Sequence, residues 1–360
     1  MQYSDYYLGL MGKGPKKIPH RELWSNPEAE TYLTGIDYYK YPKLCREKLS
    51  ELYPQLNLPV PKTDAPIPKI ETFRSRWGDG ETYGGSGKVG DNVFNEEEDV
   101  FNFSPLANPD FRRWGHVVMP WDFSTDETIK QHTIEQFRAS AGKEPPLKAE
   151  EGSTDYLWFY NTLFMWPLLT FGWDLFLRCC LDDEFDRIMA EFAEINRRVF
   201  KVFADFPCNF VFCHDDLATS IGPVCPPSWM RKNIYPYYEE FFSIMKAGGK
   251  RIIFICDGNS DGVVDDLVAC GADGLVAEPF TDIRGIAKKH KDIVIAGEGD
   301  NRILMGNDKA EIRTMVEQMV ETAQLSGGYL MSIGNHIPFN VPPEAIKTYL
   351  DLADELAYRK

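Results

Sequence analysis

The sequence predicts an α/β protein, and within that class a (β/α)8 TIM barrel with an irregular N-terminal extension. Three observations lead to this prediction. Short apolar runs bounded by Gly, Asp or Asn recur in the C-terminal half, as is typical of strands buried on both faces. Segments with helical spacing separate these runs, which favours a parallel sheet. Polar residues follow the runs, at positions that lie together on the active-site face of a parallel barrel.

The alternation of strand and helix begins at Cys208. The predicted strands are NFVFCHDD, RIIFIC, GLVAEPF, IVIAGEGD and YLMSIGNHIP, and a helical segment follows each of them. We expect the earlier strands within residues 60–175, including HVVMPWDF at 116–123. An open doubly wound sheet is the main alternative fold. No GxGxxG motif follows a strand and no P-loop is present, so nothing supports nucleotide binding.

The domain organisation is predicted from where this alternation starts. Residues 1–110 read as an N-terminal extension, with Gly-rich hairpins in ETFRSRWGDGETYGGSGKVG that would pack on the barrel. Residues 111–360 would form the barrel, and the two parts would make one domain overall. The segment Asp183–Phe206 has apolar residues at helical spacing and is predicted to be an amphipathic helix.

The composition excludes several classes of partner. The formal net charge of −16 argues against nucleic acid and anionic membranes, since both require a basic surface. No apolar run approaches the ~20 residues that span a bilayer, and the first residues lack the pattern of a signal peptide. The eight cysteines include no CxxC pair and are typical of free thiols in a reducing compartment. We therefore expect a cytoplasmic protein.

The polar residues at the strand ends are the candidate site. They are His214, Asp215, Asp216, Cys256, Asp257, Glu278, Glu298 and His336. Each also has a structural interpretation, since a histidine or cysteine can be a core residue and the aspartates can cap helices. A thiolate, a carboxylate and an imidazole converging on one point would suit Zn²⁺ with an open position, which makes Cys256, Glu278 and His336 the metal candidates.

The order of several motifs resembles the uroporphyrinogen decarboxylase-like superfamily. These motifs are HDDLA, IGP, CPPSWMRKNIYPYYEEFF, RIIFICDGN, GEGDNRILMGNDKAEI and GGYLMSIGNHIPFNVPPEAI, within roughly residues 115–355. The resemblance implies a (β/α)8 barrel enzyme. The superfamily contains the decarboxylases and a branch of cobalamin-dependent methyltransferases. The arginine-rich motif of the decarboxylases, of the type MRQAGRY, is absent, whereas PHRELWSNPEAETYLTGID looks like the methyltransferase branch.

The same resemblance bears on the metal ligands. The methyltransferase branch commonly holds zinc with a His-x-Cys pair, a glutamate on the next strand and a cysteine near the C-terminus. Phe254 stands at the histidine position, Cys256 and Glu278 match, and Asn335, beside His336, stands at the final cysteine. This departure argues against a thiol as the methyl acceptor and leaves a demethylase role.

We therefore predict a corrinoid-dependent O-demethylase that moves the methyl group of a methoxylated aromatic to the Co(I) corrinoid of a partner protein. The aromatic-rich stretch Tyr156–Trp173 suits a planar apolar substrate, with ordinary core packing as the alternative. Either zinc or an acid would assist the leaving oxygen. The catalytic candidates are His214, Asp216, Asp257 and Glu298. This chain has no corrinoid-binding DxHxxG pattern. Three alternative functions stay open: a uroporphyrinogen decarboxylase-type lyase, a methyltransferase acting on methylamines or betaine, and a non-catalytic binding protein on a barrel that has lost its activity. A homodimer also stays open.

Overall fold

The computed structural model describes residues 3–24, 26–56, 58–67, 71–75, 78–82, 93–108 and 121–360, with only the backbone at 71–75 and 78–82. The helices are α1 (Asp5–Leu10), α2 (Pro27–Thr34), α3 (Pro42–Leu52), α4 (Glu97–Phe101), α5 (Asp126–Ala141), α6 (Met165–Phe171), α7 (Trp173–Cys179), α8 (Glu184–Asp205), α9 (Pro227–Asn233), α10 (Tyr235–Ala247), α11 (Val264–Cys270), α12 (Ile283–Lys289), α13 (Asn301–Gly306), α14 (Lys309–Ala323) and α15 (Pro343–Leu356). The strands are β1 (Leu23–Trp24), β2 (Glu71–Ser75), β3 (Gly78–Thr82), β4 (Tyr156–Phe159), β5 (Phe210–His214), β6 (Ala218–Thr219), β7 (Gly222–Pro223), β8 (Arg251–Ile255), β9 (Gly274–Val276), β10 (Val294–Ala296), β11 (Gly328–Tyr329) and β12 (His336–Ile337).

A parallel six-stranded sheet forms the centre of the molecule, in the order β11-β10-β9-β8-β5-β4. The five strands predicted from Cys208 onward all contribute to it. Every residue of β5 is buried, because helices cover one face of the sheet and the barrel interior the other. Among the described residues, β4 is one edge of this sheet and β11 is the other.

The N-terminal segment continues the parallel arrangement beyond β11. His20 forms a parallel bridge with Met331, and β1 pairs in parallel with β12, with Leu23 opposite His336. Part of the predicted extension therefore supplies a strand position beside the last strand of the sheet. The predicted hairpin is present as the antiparallel pair β2 and β3. The domain boundary at residue 110 stays a prediction.

Two apolar layers follow from the alternation of side chains along each strand. The larger layer fills the space between sheet and helices. The smaller one lies on the opposite, inner face and comprises Tyr7, Leu10, Phe210, Phe212, Ile253, Val276, Val294, Ala296 and Leu330. Because Tyr7 belongs to α1 and Leu10 ends it, this helix packs on the inner layer at the N-terminal end of the strands.

The structure corrects several predicted element boundaries. The segment PSWMRKNIYPYYEEFFSIMKAGG forms two helices, α9 and α10, and Pro236, which lacks an N–H, lies in the first turn of the second. Residues 116–120 of the predicted strand HVVMPWDF lie outside the described residues, and 121–123 are not in a strand. The helix predicted at Asp183–Phe206 is confirmed as α8. None of the helices in the described ranges is long and apolar enough to cross a membrane.

Candidate active site

An imidazole and two carboxylates meet at the carboxyl ends of β5 and β8. His214 continues the inner face of β5 after Phe210 and Phe212, because every second side chain points the same way. Its Nε2 lies 2.9 Å from Asp216 Oδ1, and the same oxygen accepts a hydrogen bond from the Asp257 backbone N–H at 3.2 Å. One donor atom each from His214, Asp216 and Asp257 lie within 4.8 Å of one another. This trio is called the acid cluster below.

Tyr160 follows β4 and lies against the acid cluster. Its ring contacts the His214 ring edge to face, with centroids 4.2 Å apart. Burial raises the pKa of the Tyr160 hydroxyl, and the carboxylates of Asp216 and Asp257 raise it further. The phenol therefore stays neutral at physiological pH and offers a polar hydroxyl on an otherwise apolar wall.

The His214 imidazole is poised to carry a proton. Burial of the ring by itself disfavours the charged form and would lower its pKa. The hydrogen bond to Asp216 and the charges of Asp216 and Asp257 more than offset this effect, so the pKa of His214 lies above its ordinary value. The histidine is therefore a stronger candidate for a protonated group than an exposed imidazole would be.

Asp257 is the second proton-carrying group of the acid cluster. Burial, with the nearby charge of Asp216, raises its pKa to about 7, while the His214 charge acts in the opposite direction. Asn335 donates from Nδ2 to Asp257 Oδ2 at 2.8 Å and to Glu278 Oε1 at 3.3 Å. Glu278 Oε2 in turn accepts from the Gly258 N–H at 2.7 Å. A neutral amide thus links two carboxylates that would otherwise repel each other.

The structure does not bring the three predicted zinc ligands together. Cys256 is fully buried in the layer between sheet and helices, because it follows the inward Ile255 and so points outward. Burial raises the pKa of its thiol to about 12, which disfavours the thiolate that a metal requires. Glu278 bonds Asn335, and the exposed His336 places Nδ1 2.9 Å from Asn335 Oδ1. Within the described ranges, the acid cluster is instead the one group whose ligand atoms could surround an ion.

Glu298 also lies apart from the acid cluster. Gly297 adopts a left-handed φ of 101°, and this turn interrupts the alternation that would have pointed Glu298 inward. The carboxylate instead accepts hydrogen bonds from Tyr329 and from Thr322 Oγ1, on the side of α14. Its position and partners indicate a structural role between strand and helix.

The sequence suggested Asp215 as a cap of the next helix, but in the structure it binds the start of α6, a helix that precedes β5 in the chain. Its side chain is fully buried and accepts hydrogen bonds from the backbone N–H groups of Phe164 (2.8 Å) and Met165 (2.9 Å), as well as from Leu163 and the Tyr238 hydroxyl. Burial nevertheless raises its pKa to about 7. Asp215 thereby ties the start of α6 to the end of β5, next to the acid cluster.

The aromatic-rich stretch Tyr156–Trp173 mostly forms core. Phe159, Phe164, Trp166 and Phe171 are buried between sheet and helices, so ordinary core packing accounts for them. Tyr160 is the aromatic side chain of this stretch that contacts the acid cluster. Its position two residues after Trp158, on the inner face of β4, was a signal available in the sequence.

Asn335 is the other residue that sequence analysis placed but gave no role. It has a left-handed φ of 61°, a conformation that asparagine tolerates better than most residues. Its amide contacts Asp257 and Glu278, which come from the ends of two other strands. Only the folded arrangement reveals this bridging role.

The fold and the acid cluster together define a parallel α/β barrel with an acid–base site at the carboxyl ends of its strands. Comparison with known protein families then shows the family to which the chain belongs. The family described as "Uroporphyrinogen decarboxylase (URO-D)" matches residues 176–356, about half of the chain, and the protein belongs to this family of enzymes. The resemblance seen in the sequence motifs and the predicted barrel class are thereby confirmed.

The chain is similar to two known proteins. It is 28% identical over 109 residues to a uroporphyrinogen decarboxylase of Hydrogenobaculum sp. (strain Y04AAS1), a match that covers 30% of this chain and 31% of the relative. It therefore spans about a third of that protein's length. The structure is also similar to a solved "methyltransferase from Methanosarcina mazei", with a TM-score of 0.56 and 15% identity over 98% of this chain and 99% of the other. At this identity the likeness shows the fold.

Proposed function

We propose that this protein is a methyltransferase, an O-demethylase that removes the methyl group of a methoxylated aromatic compound and passes it to the Co(I) corrinoid of a partner protein. The acid cluster at the barrel mouth is the observation that carries this proposal. The likeness in fold to a methyltransferase along nearly the whole chain supports it.

An aryl methyl ether needs help with its leaving group. When the C–O bond breaks, the electron pair goes to a phenolate oxygen, whose conjugate acid has a pKa of about 10. A positioned acid that gives this oxygen a proton lowers the barrier, typically by a factor of about 10² to 10⁴. Asp257, with its pKa raised to about 7, can keep a proton near neutrality, and His214, hydrogen-bonded to Asp216, is a second proton-carrying group beside it. These groups therefore suit an oxygen leaving group.

The corrinoid, when bound, supplies the nucleophilic Co(I) that accepts the methyl group. The chain's own residues would hold the donor with its ether oxygen at Asp257 and the Tyr160 ring beside it. The predicted set Cys256, Glu278 and His336 is not assembled, so it does not suit a zinc ion. A zinc ion held by His214, Asp216 and Asp257 would act as a Lewis acid on the same oxygen.

Decarboxylation of uroporphyrinogen is the second candidate. The family description and the curated relative both favour it. The acidic surroundings of the site disfavour it, because Asp216, Asp257 and Glu278 would repel a polycarboxylate substrate. Incubating the purified protein with uroporphyrinogen decides between the two, since release of carbon dioxide at a catalytic rate would overturn the demethylase proposal.

The direct test measures the loss of cob(I)alamin absorbance with methoxybenzene as methyl donor and reduced free cobalamin as acceptor. We expect Asp257→Asn to lower kcat/KM by about 100-fold, because the amide cannot donate an acid proton. Glu298→Gln is the matched control: it changes a half-buried carboxylate after β10, two strands away from β8 and outside the acid cluster, and should retain kcat/KM within about threefold. Equal effects of the two substitutions would contradict this assignment.

Two further arms separate the remaining alternatives. Turnover of trimethylamine or glycine betaine, without turnover of methoxybenzene, would replace the ether donor by an ammonium donor. The metal content of the purified protein tests whether an acid or a metal ion assists the leaving oxygen. If the native protein contains stoichiometric zinc and His214→Ala loses it, a Lewis acid at the same residues replaces proton donation as the mechanism.

A further inference from the structure

Arg21 extends from the N-terminal segment to the inner face of the sheet. Its backbone N–H donates to the Met331 carbonyl at 2.9 Å, beside the last strand. Its guanidinium carbon lies 5.3 Å from the centroid of the Phe212 ring. Phe212 belongs to the inner apolar layer and precedes His214 by two residues on the same face of β5. Phe212, the ring that the guanidinium contacts, therefore lies about 7 Å along β5 from His214 of the acid cluster.

The charge of Arg21 has no anionic partner among the described residues. The Nη1 atom is buried and makes no hydrogen bond. The Tyr6 hydroxyl is a hydrogen-bond partner of Arg21, and burial raises the pKa of this hydroxyl, so the partner is a neutral phenol and not an anion. Arg21 is half-buried, and the part of its charge that is withdrawn from water is costly unless an anion or hydrogen-bond acceptors compensate it. The barrel interior thus contains an arginine with spare donors and the geometry to bind an oxyanion.

Apolar side chains flank Phe212 and His214 on the two neighbouring strands. Trp158 lies opposite Phe212 on β4, and Ile255 lies opposite His214 on β8. Both are half-buried and pack against the inner layer. A planar ring is the shape that such a lining accepts.

We propose that Arg21 binds the carboxylate of the methyl donor, so that the donor is an aromatic acid carrying a methoxy group, such as 4-methoxybenzoate. The carboxylate would pair with the guanidinium, the ring would lie against Trp158 and Ile255, and the methoxy oxygen would reach Asp257. A para-substituted benzene ring has about the length of this two-residue separation on the strand. This inference rests on the proposed function. Arg21 stands alone in PHREL and is not part of the arginine-rich motif of the decarboxylases.

The first experiment measures benzoate binding by calorimetry, which needs no methyl transfer. We expect Arg21→Gln to weaken benzoate binding about tenfold or more, and Arg21→Lys to retain part of it because the charge remains. The control is Arg302→Gln, since Arg302 also stacks on a phenylalanine, Phe280 at 4.7 Å, but is already paired with Asp300. Its benzoate affinity should be unchanged. Circular dichroism verifies that each variant is folded.

The second experiment compares 4-methoxybenzoate with neutral methoxybenzene as donors to cob(I)alamin. In Arg21→Gln, KM for the acid should rise about tenfold or more, with little change for methoxybenzene. Equal benzoate affinity of the native protein and Arg21→Gln overturns the Arg21 site, even when methoxybenzene is demethylated. If Arg21-dependent benzoate binding is found but no donor is demethylated, the carboxylate site is supported and the proposed O-demethylase function fails.

Discussion

At the scale of single residues, the acid cluster holds protons that ordinary surface groups would lose. His214 and Asp257 both have raised pKa values, although burial acts on them in opposite directions. Burial favours the neutral forms of both groups, and the clustered negative charge favours a bound proton on each. Asn335 acts in the opposite direction on Asp257, because its hydrogen bond to Oδ2 stabilises the carboxylate and lowers the pKa, but burial and the charge of Asp216 outweigh this effect.

This arrangement predicts the pH dependence of methyl transfer. With its pKa at about 7, Asp257 is protonated below neutrality and loses its proton as the pH rises through 7. We expect kcat/KM to fall about tenfold per pH unit above that point, because the acid form is the competent one. The measurement is a pH profile of kcat/KM between about pH 6 and about pH 9. Asp257→Asn should abolish this fall, and a flat profile for the native protein would contradict the role of Asp257.

At the scale of elements, short connections after the strands position the site. The segment between β4 and α6 is fixed by Asp215, which accepts from three successive backbone N–H groups, those of residues 163–165. This connection also carries Tyr160, so the same anchor orients the aromatic wall of the acid cluster. Gly297 has a comparable effect after β10. A Cβ there would lie 1.7 Å from the Ala277 carbonyl oxygen, so only glycine permits the turn that sends Glu298 outward.

The anchor at Asp215 predicts a large effect on stability. Asp215→Ala would leave buried backbone N–H groups of the α6 start without acceptors, at a cost of about 3 kcal/mol or more in the free energy of unfolding. Asp183→Ala is the matched control: it precedes α8, its side chain makes no cap hydrogen bond, and it is almost fully exposed. That change should stay within about 0.5 kcal/mol. Urea unfolding of both variants is the measurement, and similar midpoints would refute the anchor.

At the scale of the whole molecule, the N-terminal segment is integrated into the barrel. The segment of β1 extends the sheet beside β11 and β12, while α1 covers the inner layer from the opposite end. Arg21 lies between these two elements. The first part of the chain thus contributes to the core and, through Arg21, contacts Phe212 of the inner apolar layer.

This integration predicts that α1 contributes to the global unfolding reaction. Leu10 is 1% exposed in the inner layer, so Leu10→Ala should lower the free energy of unfolding by about 2–5 kcal/mol. Leu44→Ala is the control, because Leu44 on α3 is 48% exposed and should cost less than about 0.5 kcal/mol. Thermal unfolding of both variants measures the difference. A small effect at Leu10 would show that α1 docks weakly.

The sequence by itself determined the parallel strands from Cys208 onward and the positions where polar residues follow them. Local signals suffice for this, because apolar runs and their bounding Gly and Asp residues specify buried strands. His214, Asp216 and Asp257 were found in this way. Boundaries inside long helical segments, such as the break at Ile234, were harder to predict, because they depend on packing around Pro236.

The tertiary structure decided which strand-end residues meet. Side-chain alternation turns Cys256 into the outer core, and the left-handed turn at Gly297 turns Glu298 away, although both follow strands in the sequence. Asn335 and Tyr160 come from distant segments and contact the acid cluster only after the sheet forms. Sequence position fixes the end of the strand where a residue lies. The direction in which its side chain points, and the residues that the side chain contacts across the barrel, depend on φ angles and on packing between elements far apart in the chain.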